Sequence, residues 1–471
     1  MNLFWVLLSI FLPWISTSLL IRYLWPHHTP GRWPLALGYG YLFSVVGTTL
    51  ILRLQAALGM MLNTWFVLSI FLSIGFVGFI LIRSQRLSDL HSKSPSVTSI
   101  KWSNIVFSLL LFWLILRFTN LAFEIWLQPI ISWDAWTTWA ARARTWSILR
   151  ELVPFVSQER WASDNLPGLY TIDAHQYPLT VSLIATWPNL AYGTWNESLA
   201  NLPWLGAGLA LGFGFYGQAR IWGASALTAL IFVWLVLSIP ILDVHIGIAG
   251  YADIWVGVSF ALGVIAFLAW IRFDEKRQGL LALLALVATS MMKREAAIWV
   301  ALMIPALLVV RLRPHWLISW FLVITSLSFI LWLNDGIQIS FNDLGYFGIG
   351  LDKIQIIGIG EIIFSYHSVW RVLLHHLFIY SNWHIFPYLF LLALSVTIKN
   401  MLTSNLPSWQ LASLTWLLLS FATLYILFFW THAYIWVLEE TIPNRLILQF
   451  TPAIMFWIMA VFLENIKTPK I

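Results

Sequence analysis

Apolar stretches of about 18 residues or more, almost free of charge, recur along the whole chain of 471 residues. Nothing constrains its fold more. A stretch of that length crosses the hydrocarbon core of a bilayer as an α-helix, because a backbone in lipid has to satisfy its own hydrogen bonds. The stretches lie near 3–21, 33–52, 62–82, 102–123, 199–217, 222–242, 254–271, 279–292, 296–310, 316–333, 379–397, 409–430 and 446–463. Those at 279–292 and 296–310 are short, with Lys293-Arg294-Glu295 between them. The expected fold is an all-α polytopic membrane protein of about 13 transmembrane helices, with interfacial amphipathic helices in its first large outer loop. The 3–21 stretch lacks a basic start and a small-residue cleavage site, so it reads as a retained span rather than a signal peptide.

Composition supports this over the two or three soluble domains that length alone would suggest, since 60% of residues are hydrophobic and only 10% charged. Without cysteine, disulfides, thiolate metal sites and cysteine nucleophiles are excluded. The net charge of +6 sits in short loops, so it fits a positive-inside bias and contact with anionic membrane lipids, not nucleic acid. Thirty-one tryptophans imply broad aromatic belts and a carbohydrate- or lipid-facing cavity.

Orientation turns on the ambiguous stretch Pro178 to Tyr192, which is short and contains Pro188. If it does not cross, one side collects Arg22, Arg32, Arg83, Arg86, Lys93, Lys101, Arg220, Arg272, Lys276, Arg277, Arg311, Arg313, Lys399, Lys467 and Lys470. Only Asp89, Asp274, Glu275 and Glu464 accompany them. If it did cross, every basic cluster from Arg220 onward would move outside. The positive-inside rule therefore reads 178–192 as re-entrant or interfacial. The N-terminus is then outside, the C-terminus and the 88–101 loop cytoplasmic, and the 133–178 loop outside. Three parts follow: a three-span extension over 1–101, a module over 102–333 with its outer loop at 124–198, and 334–471 with a second outer loop and the last three spans.

The outer loop at 133–178 is the longest polar interruption. Trp133, Trp136, Trp139 and Trp146, with Ala140 and Ala143, recur at helical spacing, while Thr137, Thr138, Arg142 and Arg144 fall on other faces. That is the pattern of an interfacial helix, with Asp134 in its first turn. It either seals the bundle or carries a catalytic carboxylate. Lys293-Arg294-Glu295 likewise has two readings, as ordinary snorkelling or as a grip on a phosphate at headgroup level. Asp253, after Gly250-Tyr251-Ala252, is either a helix cap or a functional acid. The glycine-bearing 334–378 loop reads as a flexible outer loop, because a phosphate cradle would need a strand before it and a helix after it. His375-His376 has no recognised metal-ligand spacing and fits an interfacial helix.

Taken in order, Trp133-Asp134-Ala135-Trp136, Tyr177-Pro178-Leu179, Gly250-Tyr251-Ala252-Asp253 and Met292-Lys293-Arg294-Glu295 resemble the integral-membrane GT-C glycosyltransferases. Protein O-mannosyltransferases and bacterial lipid A aminoarabinose transferases belong to that superfamily. The resemblance covers about residues 102–310 and rests on the order of the motifs. One departure is that Asp134 is followed by Ala135, where many members carry a second acid.

The resemblance implies a helical bundle in the plasma membrane of a bacterium, with a cavity opening to the outer face. It further implies an inverting transfer from a polyprenyl-phosphate-linked sugar to a hydroxyl of an acceptor glycan, lipid or protein. Asp134 would be the base and Lys293 and Arg294 would hold the phosphate. Asp173, His175, Tyr177, Asp253 and Glu295 would bind substrate, and Asp134 and Asp253 are the candidates for a divalent cation such as Mg or Mn. Two other readings stay open: a transporter or flippase of a lipid-linked or sugar-like solute, which calls for discontinuous helices, with Arg117 the clearest intramembrane charge, and an outer-face oligosaccharide polymerase or ligase.

Overall fold

The computed structural model describes residues 2–88, 102–164, 168–334, 336–341, 345–350, 352–356, 360–403 and 406–467. The expected cytoplasmic loop at 88–101 lies almost entirely outside them, as do Asp335 and Asp343. The chain is a mostly helical integral membrane protein, with 76% of it in helix. Among the described residues nine helices are long and apolar enough to cross a membrane, and ten if one bent pair counts as a single span. The chain divides into two compact units.

The first unit holds residues 1–300, 388–396 and 448–471. Its helices begin with α1 (Asn2–Tyr23), α2 (Arg32–Ala57), α3 (Thr64–Ser88) and α4 (Trp102–Leu127). A π-helical turn, Ala135–Trp139, leads into α5 (Ala140–Leu149), followed by α6 (Gln158–Asp164) and α7 (Thr180–Tyr192). Then come α8 (Glu197–Ile221), α9 (Ala226–Leu237), α10 (Pro240–Gly247), α11 (Asp253–Phe273), α12 (Lys276–Ser290) and α13 (Ala296–Ala301). Two short strands, β1 (Phe155–Val156) and β2 (Tyr170–Thr171), pair in parallel within the 124–198 loop.

Helix α7 has 13 residues, about 20 Å, too short for a hydrocarbon core of about 30 Å. It is nonetheless buried from Thr180 to Leu190, packed on α1, α2, α5 and α8. Pro240 ends α9, and α9 and α10 meet at a 69° bend. The expected spans at 279–292 and 296–310 form α12, of 15 residues, and a pair of shorter helices broken near Leu302. A polar network ties four of these helices together in the core. Gln218 on α8 donates to Gln278 on α12 (2.9 Å) and to the Tyr39 hydroxyl on α2 (3.0 Å), which donates to the Leu262 carbonyl on α11 (2.7 Å). Tryptophan serves the core as well as the expected belts. Trp25, Trp204, Trp222, Trp255 and Trp457 are among the largest fully buried side chains. Between α1, α4, α8 and α9 lies an apolar cavity of about 960 Å³, lined by Leu7, Leu111, Phe118, Leu209, Phe213 and Val233 among others.

The second unit holds residues 301–387 and 397–447. It contains α14 (Met303–Arg311), α15 (Pro314–Leu333) and α16 (Trp370–Phe378). There α17 (Phe386–Thr403), which the two units share, is followed by α18 (Ser408–Trp430), α19 (Tyr434–Leu438) and α20 (Pro443–Leu448). Helix α21 (Thr451–Lys467) returns to the first unit. The 334–378 segment corrects the expectation of a flexible loop. Strands β3 (Ile337–Phe341), β4 (Gly345–Ile349), β5 (Lys353–Ile356) and β6 (Gly360–Ile363) form an antiparallel meander. The period-2 alternation of Ile337-Gln338-Ile339-Ser340 and Lys353-Ile354-Gln355-Ile356 is the physical reason, and the interspersed glycines obscure it. His376 is no surface residue of α16. It is buried against Asn444 Nδ2 (2.9 Å) and Glu440 (3.7 Å), and burial pushes its imidazolium form down in pKa, against the pull of the Glu440 carboxylate.

Candidate functional site

The antiparallel hairpin of α11 and α12 brings the start of one helix near the end of the other. At 1.5 Å per residue, α12 is about 9 Å shorter than α11. The turn at 291–295 therefore covers the remaining height, and Lys293 folds back towards the first residue of α11. Its ammonium sits 3.0 Å from Asp253 Oδ1 and 2.7 Å from Glu295 Oε1. Lys293 is 6% exposed and Asp253 fully buried, so the lysine points into the protein and not along the surface as a snorkelling residue would. The neighbouring Arg294 stays exposed and reaches Gln176 Oε1 through Nη1.

A second segment closes on the same place. Ser132 Oγ donates to the Ala249 carbonyl (2.7 Å), and a Cβ on Gly250 would lie 2.3 Å from Ala135 Cβ. Gly250 also has φ +109°, so glycine is required there twice over. Half-buried Asp134 is thereby held one residue away from this contact, beside the Gly250–Asp253 turn. Trp204 on α8 steadies that turn by donating to the Tyr251 carbonyl (2.8 Å).

The third contribution is Tyr177. Its ring lies 6.0 Å from the Lys293 ammonium and edge-on to Trp139 at 5.3 Å. Burial raises the pKa of its hydroxyl. The carboxylates of Glu295, Asp253 and Asp134 add to the rise and Lys293 opposes it. One phenol thus senses all four charged groups.

Arg142 corrects the helical-wheel reading. Ala135, Thr138, Trp139, Arg142, Ala143 and Trp146 face inward, three- and four-residue steps that put Arg142 on the same face as Trp139 and Trp146. Trp133 and Trp136, of the same tryptophan series, are exposed. Arg142 spends its guanidinium on backbone, donating to the carbonyls of Tyr177 (2.9 Å), Ala174 (2.8 Å) and His175 (2.5 Å). Burial lowers its pKa to about 10, still charged at neutral pH. Hydrogen bonds to charged groups contribute about 1.5–3 kcal/mol each. Arg142→Ala should therefore raise hydrogen exchange across 170–178 by roughly ten- to a hundredfold in native protein, by opening this loop locally. Unchanged exchange would show that Arg142 does not hold it.

The other expected residues are less central. Asp173 is exposed and accepts from Gln158 Nε2 (2.6 Å). His175 contributes its carbonyl to Arg142, and its Nδ1 is buried without a hydrogen-bond partner among the described residues. Gln449 and its partner Trp299 escaped the sequence reading. Gln449, fully buried between α20 and α21, donates to Asp253 Oδ1 (2.7 Å) and accepts from Trp299 Nε1 (2.6 Å). A buried amide inside the apolar 446–463 run was the available signal.

Asp253 does not fit the metal-ligand role considered for it. Its Oδ1 already accepts from Gln449 and from the Lys293 cation, which would repel a divalent ion. Among the described residues no three His, Asp or Glu side chains group as a metal site. Neither protein-family models, curated proteins nor solved structures give a match to this chain.

Proposed function

We propose that this protein is an inverting glycosyltransferase that moves a sugar from a polyprenyl phosphate to an acceptor hydroxyl on the outer face of a bacterial plasma membrane. The observation that carries this reading is the meeting of four separate segments, bearing Asp134, Tyr177, Asp253 and Lys293-Arg294-Glu295, around one phenol. In the reaction the Asp134 carboxylate takes the proton of the acceptor hydroxyl. The oxygen forms its bond to the anomeric carbon on the face opposite the phosphate, the sugar–phosphate C–O bond breaks, and the lipid phosphate leaves with the electron pair. A phosphate is a good leaving group, so cations to receive its charge replace a strong general acid.

The two cations divide the labour. Lys293 is engaged by two carboxylates, and the Asp253–Lys293–Glu295 group carries one net negative charge when all three are ionised. Arg294 is the cation turned outward, so it meets the phosphate and releases Gln176 in doing so. A topology of thirteen spans with the 133–178 loop outside belongs to the same proposal. It takes the bent α9–α10 pair as one span, and the three spans beyond those ten are α12, the α13–α14 pair and α15.

The apolar cavity adds support for a lipid-linked substrate. Helix α8 lines it with Leu202 and Leu209 and turns Trp204 to the site turn on its other side. Leu209→Trp should occupy part of the cavity. Displacing even two buried methylenes of a lipid chain costs about 1.6 kcal/mol, so KM for a long-chain donor should rise about tenfold while a short-chain donor is little affected. Equal KM values for both would remove the cavity from the account.

A transporter is the second reading, favoured by the bent α9–α10 pair, where Asp243 pairs with Arg117 of α4 at 2.7 Å. Purified protein in detergent separates the two. Release of free polyprenyl phosphate upon adding donor and acceptor supports transfer, whereas solute flux in liposomes without such release supports transport.

A further inference from the structure

We propose that Gln449, its amide set by Trp299, is a positioning residue that holds Asp253 as the ionised partner of Lys293. The arrangement starts from Pro452. Without an N–H it cannot continue the helical ladder back to Leu448, and the chain breaks at Gln449-Phe450 between α20 and α21. The break lies against α11 one turn after Asp253. A Cβ on Gly257 would stand 3.3 Å from the Leu448 carbonyl oxygen and 3.6 Å from Gln449 Cα, so glycine permits the close approach.

The amide's orientation is fixed by chemistry. An indole N–H only donates, so the Gln449 atom facing Trp299 at 2.6 Å is the oxygen. The amide nitrogen is then turned to Asp253 Oδ1 at 2.7 Å, where Lys293 also donates at 3.0 Å. Two donors on one carboxylate oxygen leave no place there for a proton. The Trp299 ring itself is held edge-on to Phe450 at 4.7 Å. Among the described residues, Glu295, Tyr177 and Asp134 are charged or titratable groups near the pair. With Asp253 fixed as an anion, Lys293 stays bound inside and Arg294 is left as the outward cation. That consequence rests on the proposed function, but the positioning itself does not.

The test reads protonation directly, without sugar transfer. Full-length protein labelled with ¹³C-carboxyl aspartate is compared by infrared difference with its Asp253→Asn counterpart, at one mildly acidic pH. The wild type should show only the ionised carboxylate band of Asp253. Trp299→Phe keeps the ring and frees the amide to rotate its oxygen towards Asp253, so a protonated carboxyl band should appear. The protonated-to-ionised ratio should rise by about ten- to a hundredfold, the worth of one hydrogen bond to a charged group. Gln449→Leu should do the same, and the double variant no more than either single one. The inference is overturned if Trp299→Phe leaves the Asp253 band ionised, if the wild type shows a protonated band, or if the two substitutions add. Should Gln449→Leu not fold, Trp299→Phe decides alone.

Discussion

Asp134→Asn is expected to lower turnover by about 10²–10⁴, the usual cost of losing a general base, while binding of the lipid donor stays nearly unchanged. Asparagine keeps the size of the side chain, and the close approach of Ala135 Cβ to Gly250 that positions this segment is untouched. Loss of proton affinity is then the main difference. Because Asp134 follows Trp133 in a short helical start pinned by Ser132, the same substitution should leave the melting temperature almost where it was. Steady-state transfer at saturating donor measures the first effect and thermal unfolding the second. A variant that turns over at the wild-type rate would reduce Asp134 to a residue that begins a helix.

The second large effect is on stability. Lys293→Gln removes the cation bonded to fully buried Asp253 and leaves Glu295 beside it. Breaking a buried ion pair by deleting one partner costs about 3–5 kcal/mol, because the remaining charge stays desolvated. The double variant Asp253→Asn, Lys293→Gln removes both charges and should recover much of that loss. Chemical denaturation in detergent reads both. If the single variant is as stable as the wild type, the pair is not the anchor described above. Arg294→Gln should behave oppositely, with normal stability and transfer slowed about ten- to a hundredfold, since Arg294 is exposed and its hydrogen bond runs to the side chain of Gln176.

Much of the inner face of this site was legible because it is local. Gly250, Asp253 and Lys293 stand at helix boundaries, where a polar residue in an apolar run has a reason to be. What could not be read were contacts made across sequence. Gln449 lies 196 residues from Asp253 and looks like one polar residue inside a span. Spacing by itself sets Arg142 apart from the tryptophan series, although it shares a face with Trp139 and Trp146, because a charge in that position gives no sign of a buried partner. Its burial depends on three carbonyls that only the folded 174–177 loop supplies. The β3–β6 meander is a different failure. Glycines at 345, 348, 350 and 360 suggest a loop by composition, and the isoleucine alternation between them is short. The span count suffers from short helices. Composition marks α12 and the α13–α14 pair as apolar, but their lengths fall below a full crossing.

The central claim, a sugar taken from a polyprenyl phosphate, is tested most directly by mass spectrometry of the lipid extract from cells lacking this protein, complemented with wild type or with Asp134→Asn. A polyprenyl-phosphate sugar should accumulate without the protein, return to its low level with the wild type, and stay high with Asp134→Asn. An unchanged pool of polyprenyl-phosphate sugars in all three strains would contradict the account.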